Sequence, residues 1–160
     1  MKNKLFQRPN VAASRWFKDA NGTNIGDMVA VDDHRFVVLE RNGGTATTPA
    51  LAPIKKVYLI DLEDVTLGGT VRKIELVDLM NLADPFDLNG DGSQTFTFPY
   101  VTIENVLVLD SRTLLVVNDN NFPYGGGRAL ASDNTEFLRI RLPASLYFDE
   151  HDEHEGHDRD

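Results

Sequence analysis

In the stretch 103-IENVLVLDSRTLLVVNDN-120, two apolar runs flank a polar turn. The apolar runs are Val106–Leu109 and Leu114–Val117, and Asp110–Thr113 lies between them. Short runs rich in Val and Leu that are separated by turn residues are typical of a β-hairpin. We therefore predict two antiparallel strands here.

A second copy of this hairpin occurs earlier in the chain. Residues 25-IGDMVAVDDHRFVVLERN-42 align with residues 103–120 without a gap, at an offset of 78. The following strand repeats as well, with 55-KKVYLIDL-62 over 135-TEFLRIRL-142 at an offset of 80. One interpretation is that any two β-hairpins look alike. The other is a repeated unit that consists of a hairpin, a loop and a third strand.

Strand signals dominate the remaining sequence, and connectors rich in Gly, Asn, Asp and Pro separate them. The predicted strands are Gly26–Val31, Arg35–Glu40, Lys56–Leu62, Val71–Leu79, Phe96–Phe98, Val106–Leu109, Leu114–Val117 and Phe137–Leu142. Only Val77–Ala83 competes as a single helical turn. The predicted fold class is therefore all-β.

The period of the repeat suggests an architecture. A period near 80 is about twice the length of a usual propeller blade of roughly 40–45 residues. Alternate blades of a β-propeller, with a degenerate blade from Val71 to about Val101 between them, would produce it. We predict a partial β-propeller of about three antiparallel blades. Because propellers typically have four to eight blades, the chain is then a fragment of a longer protein, or it leaves edges for a partner such as the missing half or a second copy.

Composition and charge exclude several classes of protein. The chain has 160 residues, no cysteine, a net charge of −9 and a pI near 4.8. A phosphate-backbone partner needs a basic face, so we expect no nucleic acid. No apolar run is long enough to cross a bilayer, so we expect no membrane partner. The start of the chain lacks the apolar core of a signal peptide.

The two ends of the chain differ from its centre. We divide it into an N-terminal extension, 1–23, a β-propeller segment, 24–146, and an acidic tail, 147–160, that contains histidines. The tail is too charged to form a core and is predicted to be disordered. Its residues His151, His154 and His157 have a spacing that suits a metal site on a helix face, which is the alternative.

Five motifs together resemble one known family. They are VLER (38–41), KKVYLIDL (55–62), FPYVTIENVLVLD (98–110), LLVVNDNNFPYGGGR (114–128) and DNTEFLRIRLP (133–143). The sequence is similar over residues 24–146 to the C-terminal half of the phytase-like domain, the family described as "esterase-like activity of phytase". The run from IENVLVLD to LLVVNDNN is its most specific part.

The resemblance implies a β-propeller-type fold, a periplasmic or secreted location and a hydrolase activity on a small-molecule phosphoester. The alternative is a non-catalytic β-propeller module that calcium stabilises and that serves binding or structure. Any hydrolysis here would be metal-assisted, because the sequence contains no G-x-S-x-G nucleophile elbow and no phosphate loop of the G-x-x-x-x-G-K type.

Polar residues at the strand ends are the first candidate site. An apolar strand ends in Asn118-Asp119-Asn120-Asn121, and such oxygen-rich groups suit calcium. We predict Glu40, Asp119 and Asn120 as metal ligands. Glu104 joins them as a catalytic residue, and Arg41 and Arg128 would hold a phosphate. The alternative is that the Asn and Asp side chains only close turns and that Glu40 and Arg41 form a structural ion pair.

The second candidate site is 87-DLNGDGSQTF-96. Asp87, Asn89 and Asp91, with Gly92 in sixth position, follow the start of the D-x-[DN]-x-[DN]-G calcium-loop pattern. The pattern requires Glu in position twelve, where this chain has Phe98, so an EF-hand is not expected. A calcium-binding loop without helices and a simple polar turn remain the two interpretations.

Overall fold

A computed structural model describes residues 23–48, 50–63, 65–66, 69–129 and 132–147. Nearly all of the predicted N-terminal extension and acidic tail, with His151, His154 and His157, lies outside these residues. The described ranges contain nine strands and no helix. The all-β prediction is therefore confirmed. None of the described segments is a helix that is long and apolar enough to span a bilayer.

The strands form three antiparallel sheets, none of which closes on itself. The first sheet contains, in spatial order, β1 (Asn24–Ala30), β2 (Arg35–Arg41), β3 (Lys55–Asp61) and β4 (Lys73–Asp78). A two-stranded ribbon contains β5 (Leu82–Ala83) and β6 (Thr95–Phe96). The third sheet contains β7 (Ile103–Asp110), β8 (Thr113–Asn118) and β9 (Phe137–Arg141) in that order.

The region between the two repeats differs from the sequence-based expectation. The strand β4 pairs with β3 and completes the first sheet, so it does not begin a separate degenerate blade at Val71. Residues 77–83, the helical competitor, instead contain the end of β4, a turn and the strand β5. Along the chain, the two larger sheets are thus separated by the β5–β6 ribbon and its loop.

The two hairpins share their hydrogen-bond register from the open end as far as the pairs Ala30–Phe36 and Val108–Leu114, beyond which β7 has a second irregularity between Val108 and Asp110. Each hairpin carries a β-bulge near its open end, at Gly26 in β1 and at Glu104 in β7. The flanking pairs are Ile25–Glu40 and Asp27–Leu39 in the first hairpin, and Ile103–Asn118 and Asn105–Val117 in the second. The third strands follow the same rule, because Leu39 pairs with Val57 and Val117 pairs with Phe137. A bulge is a specific local irregularity, so its recurrence at an offset of 78 argues against a chance likeness.

The two larger sheets pack through non-equivalent faces. The first sheet contributes Val37 and Leu39 to the shared core, whereas the third sheet contributes Leu114 and Val116. At the offset of 78 the latter pair corresponds to positions 36 and 38, which lie on the opposite face of β2. Packing between non-equivalent faces is not self-closing, so the last sheet in the row keeps one face uncovered. The unpacked face of the third sheet accordingly leaves Leu107 48% and Phe137 71% exposed.

The edges of these sheets meet where β1 passes β7. A Cβ atom on Gly26 would lie 2.3 Å from the carbonyl oxygen of Ile103, so only glycine permits this approach. The backbone N–H of Val106 donates to Oδ2 of Asp27 at 2.8 Å and fixes the two strands side by side. This contact brings the end of β2 next to the start of β7.

Candidate functional site

Arg41 and Glu104 meet where the two sheets adjoin. The Arg41 guanidinium donates from Nε to the carbonyl of Ile103 at 3.1 Å and from Nη2 to Oε1 of Glu104 at 3.2 Å. The Arg41 side chain is 16% exposed and that of Glu104 is 48% exposed. The bulge at Glu104 turns its side chain out of the regular alternation of β7. Two residues predicted for one site, 63 positions apart, are thus in contact.

Lys55 is the cross-strand partner of Arg41 in the first sheet. Its side chain is fully buried, and its Nζ donates to the carbonyl oxygen of Asn42. Burial, and secondarily the charge of Arg41, lowers the pKa of Lys55 to about 8. Among the residues that the structure describes, no carboxylate lies within ion-pair distance of this amine. We call Arg41, Lys55 and Glu104 the junction site; its two cations share one end of the sheet.

Glu40 takes a different direction from Arg41, because successive side chains of a strand point to opposite faces. It is fully buried and accepts a hydrogen bond from Nζ of Lys73 at 2.7 Å. The hydroxyl of Thr23 lies 3.5 Å from its other carboxylate oxygen. The predicted metal ligand Glu40 therefore forms a buried ion pair with Lys73.

The residues after β8 build turns, and one of them is hydrogen-bonded to the segment that precedes Glu104. Asp119 donates its backbone N–H to the carbonyl of Thr102 at 2.8 Å, so it lies beside the segment that leads to Glu104. Oδ1 of Asp119 accepts the N–H of Asn121 at 2.8 Å, and Oδ1 of Asn120 accepts that of Phe122 at 3.2 Å. Both side chains form the turns of the alternative interpretation, and each retains a second polar group.

Arg128 has its own set of neighbours. Its guanidinium donates to Glu136 and, at 2.8 Å, to the carbonyl of Thr97. Its Cζ lies 4.8 Å from the ring centre of Phe96 and 5.4 Å from that of Tyr100. Burial and the hydrogen bond to Glu136 raise the pKa of Tyr100. Arg128 is thus held by a carboxylate and two aromatic rings.

The predicted calcium loop connects β5 to β6. Oδ2 of Asp87 accepts the N–H of Gly92 at 3.0 Å, and Nδ2 of Asn89 donates to Oδ2 of Asp91 at 2.9 Å. The N–H of Ser93 donates to Oδ1 of Asp91 at 2.7 Å and contributes most to lowering the pKa of that carboxyl. Gly92 has a φ of 80°, a conformation that glycine adopts without strain.

One acidic residue of this loop was not predicted. Asp84 is only 5% exposed, and its Oδ2 accepts the N–H of Leu88 at 2.9 Å, so its carboxylate lies against the loop. Sequence reasoning missed it because it lies three positions before the calcium-loop pattern begins.

A third cluster surrounds His34 in the turn between β1 and β2. Nδ1 of His34 lies 2.9 Å from Oδ1 of Asp61 and 3.9 Å from Oε2 of Glu63. The ligand atoms of these three residues lie within 4.8 Å of one another, a separation that a metal ion can bridge. The hydrogen bond to Asp61 raises the pKa of His34. Sequence reasoning did not single out this cluster, because the proximity of His34 to Asp61 depends on the pairing of Arg35 with Asp61.

A cleft of about 390 Å³ adjoins this cluster and is lined in part by Asp61, Thr66, Thr70 and Arg72. It lies at the Asp61 end of β3, whereas the junction site lies at the Lys55 end. We favour the junction site over this cleft for chemistry. A fully buried lysine beside an arginine is a stronger sign of a bound anion than a cleft whose Arg72 is exposed.

The model of the family "Phytase-like: Esterase-like activity of phytase" matches residues 3–122. The chain belongs to the phytase-like family. Comparisons with curated proteins and with solved structures find no match. The junction site and the calcium-type loop both lie inside the part of this phytase-like chain that the family model matches, whereas Arg128 lies outside it.

Proposed function

We propose that this phytase-like chain hydrolyses a small-molecule phosphoester at the junction site. The supporting observation is the burial of Lys55 next to Arg41. A buried cation without a counter-charge is costly, and an anion bound beside both cations would offset that cost. Phosphate is such an anion, and arginine binds it through two parallel N–H donors.

Arg41 has donors left for this purpose. A guanidinium carries five N–H groups, and two of them serve Ile103 and Glu104. The ion pair with Glu104 already holds the guanidinium in place, so phosphate binding would need no large movement of Arg41. In this proposal Arg41 binds and orients the phosphate, and Lys55 adds positive charge behind it.

Glu104 and Asp119 supply the negative side of the same site. Both residues are exposed, and their segments are joined by the hydrogen bond of Asp119 to Thr102. Carboxylate oxygens, with the amide oxygen of Asn120, are ligands that calcium accepts. When bound, a cation would polarise the phosphoryl oxygen and acidify a bound water.

The test is hydrolysis of p-nitrophenyl phosphate by the full chain in calcium and in EDTA. We expect calcium-dependent turnover that falls at least 100-fold in Arg41→Met and in Lys55→Met. Arg139→Met is the matched control, because Arg139 lies exposed on β9, and it should stay within twofold of the wild type. Turnover that Arg41→Met leaves unchanged would refute the proposed site.

A non-catalytic module is the second candidate function. The observation in its favour is that Arg41 and Glu104 already satisfy each other, as a structural ion pair would. It predicts that calcium raises the melting temperature while no phosphoester is hydrolysed. The same preparations distinguish the two functions.

A further inference from the structure

The loop between β5 and β6 contains two carboxylate oxygens without partners. Oδ1 of Asp84 and Oδ1 of Asp87 are both buried, and neither has a hydrogen-bond partner within the described residues. Burying an acceptor unsatisfied costs roughly 1–3 kcal/mol, and more when the group is charged. Two such oxygens in one loop call for an explanation, and an ion or an ordered water that binds them supplies one.

The charges of the loop point to a cation. Asp84, Asp87 and Asp91 bring three carboxyl groups to one loop, and the side chain of Asp87 contributes to lowering the pKa of Asp91. No lysine or arginine in the described part of the chain lies within ion-pair distance of Asp84, Asp87 or Asp91. Arg128 acts on the loop from a greater distance, since its charge contributes to lowering the pKa of Asp91 without forming an ion pair with it. A bound cation would stabilise these carboxylates further.

We propose that Asp84, Asp87, Asn89 and Asp91 bind a single calcium ion in this loop. All four offer oxygen ligands, which calcium prefers and zinc, with its preference for nitrogen and sulfur, does not. The loop begins as an EF-hand loop does, with the N–H of Gly92 bound to the first aspartate.

Asp84 would supply the carboxylate that the calcium-loop pattern lacks at its one mismatched position. Position twelve of an EF-hand loop supplies a bidentate glutamate, but here it is Phe98, which is fully buried in the core. Asp84 brings a carboxylate to the loop from its N-terminal side instead. The ion would tie the end of β5 to the turn. It is a site separate from the junction, and the inference does not depend on hydrolysis.

The test is calcium titration of the full chain by isothermal calorimetry, with Asp84→Asn and Asp87→Asn. Asparagine keeps an acceptor for the N–H of Leu88 while it removes the charge. We expect each variant to weaken the loop's calcium affinity at least tenfold. Asp33→Asn is the matched control in an exposed turn and should bind as the wild type does. The acidic tail is identical in all of these proteins, so its contribution cancels.

Melting temperatures keep the inference testable if a variant is less stable. In EDTA we expect Asp84→Asn to melt at or above the wild type, because an unpaired buried charge is gone; in calcium it should melt below the wild type. Equal losses in both buffers would mean that Asp84 only holds Leu88 and would overturn the inference. So would a calcium affinity that Asp119→Asn abolishes and Asp84→Asn leaves intact. Loss of hydrolysis in Arg41→Met with calcium binding preserved would bear only on the junction site.

Discussion

Replacing Lys55 by methionine tests the central feature of the junction site, a fully buried amine without a carboxylate partner among the described residues. Methionine has a similar length and flexibility and no charge. The change therefore removes the buried cation while it keeps most of the packing. We expect the variant to be more stable than the wild type at pH 7, even though it should lose activity.

The magnitude follows from the pKa of Lys55. Burial and Arg41 lower this pKa from its ordinary value of 10.5 to about 8. At about 1.4 kcal/mol for each pKa unit, this lowering corresponds to about 3 kcal/mol of lost stability while the amine is charged in both states. The variant also loses the hydrogen bond to the carbonyl of Asn42, which reduces its gain in stability by about 1 kcal/mol. The expected net stabilisation of Lys55→Met at pH 7 is about 2 kcal/mol.

The sign of the pH dependence follows from linkage. Between pH 8 and pH 10.5 the unfolded state holds the Lys55 proton and the folded state releases it. Stability rises with pH wherever the unfolded state binds more protons. The stability of the wild type should therefore gain on that of Lys55→Met as the pH rises through this window, and the difference between them should shrink.

Urea denaturation at several pH values from 7 to 9.5 measures both effects. The upper limit avoids the ionisation of Tyr100 in the unfolded state, because Tyr100 has a raised pKa in the folded protein. The difference in unfolding free energy between the wild type and Lys55→Met cancels the contributions of the titratable groups that both proteins share. A variant that is less stable than the wild type at pH 7, with a difference that does not change with pH, would refute the account of Lys55 as an unpaired buried cation.

Two further predictions concern the scaffold. Gly26→Ala should lower the free energy of unfolding by about 3 kcal/mol in urea denaturation, because its Cβ would overlap the carbonyl of Ile103. The control Gly43→Ala, with nothing within 4 Å of its Cβ, should cost under about 1 kcal/mol. Equal costs would contradict the close approach of β1 and β7. His34→Gln should lower the melting temperature most below pH 6.5, because the hydrogen bond to Asp61 favours the protonated ring. The difference from the wild type should vanish as the pH rises through the raised pKa of His34. A difference independent of pH would show that packing alone matters.

The larger sheets were predictable from sequence because they repeat. Hydrophobic alternation identifies a strand but leaves its register open, whereas two aligned copies constrain the register as well. The offset of 78 places Gly26 opposite Glu104 in the alignment, and both are bulged residues in the structure. The contact of Arg41 with Glu104 does not follow from the repeat, because it depends on the close approach of β1 to β7.

The features that sequence reasoning missed depend on contacts between residues that are distant in the sequence. Asp84 faces the calcium-type loop only because β5 pairs with β6 across it. The contact of His34 with Asp61 needs the register of β2 on β3, and the enclosure of Arg128 by Phe96 and Tyr100 needs the path of the loop after β8. The fourth strand was assigned to the wrong unit for a related reason: a strand's own sequence does not say which neighbour it will pair with.

The two repeats share a backbone but differ in the polar groups at corresponding positions. Where the first has Glu40 and Arg41, the second has Asn118 and Asp119. The buried pair shows the consequence: Glu40 needs the charge of Lys73, whereas Asn118 is satisfied by backbone groups of Asn134 and Glu136. At the neighbouring position one copy presents a cation and the other an anion. In the proposed site, positive charge would come from one copy and oxygen ligands from the other, which are the two requirements of metal-assisted phosphate chemistry. A symmetric pair of repeats would have supplied only one of them.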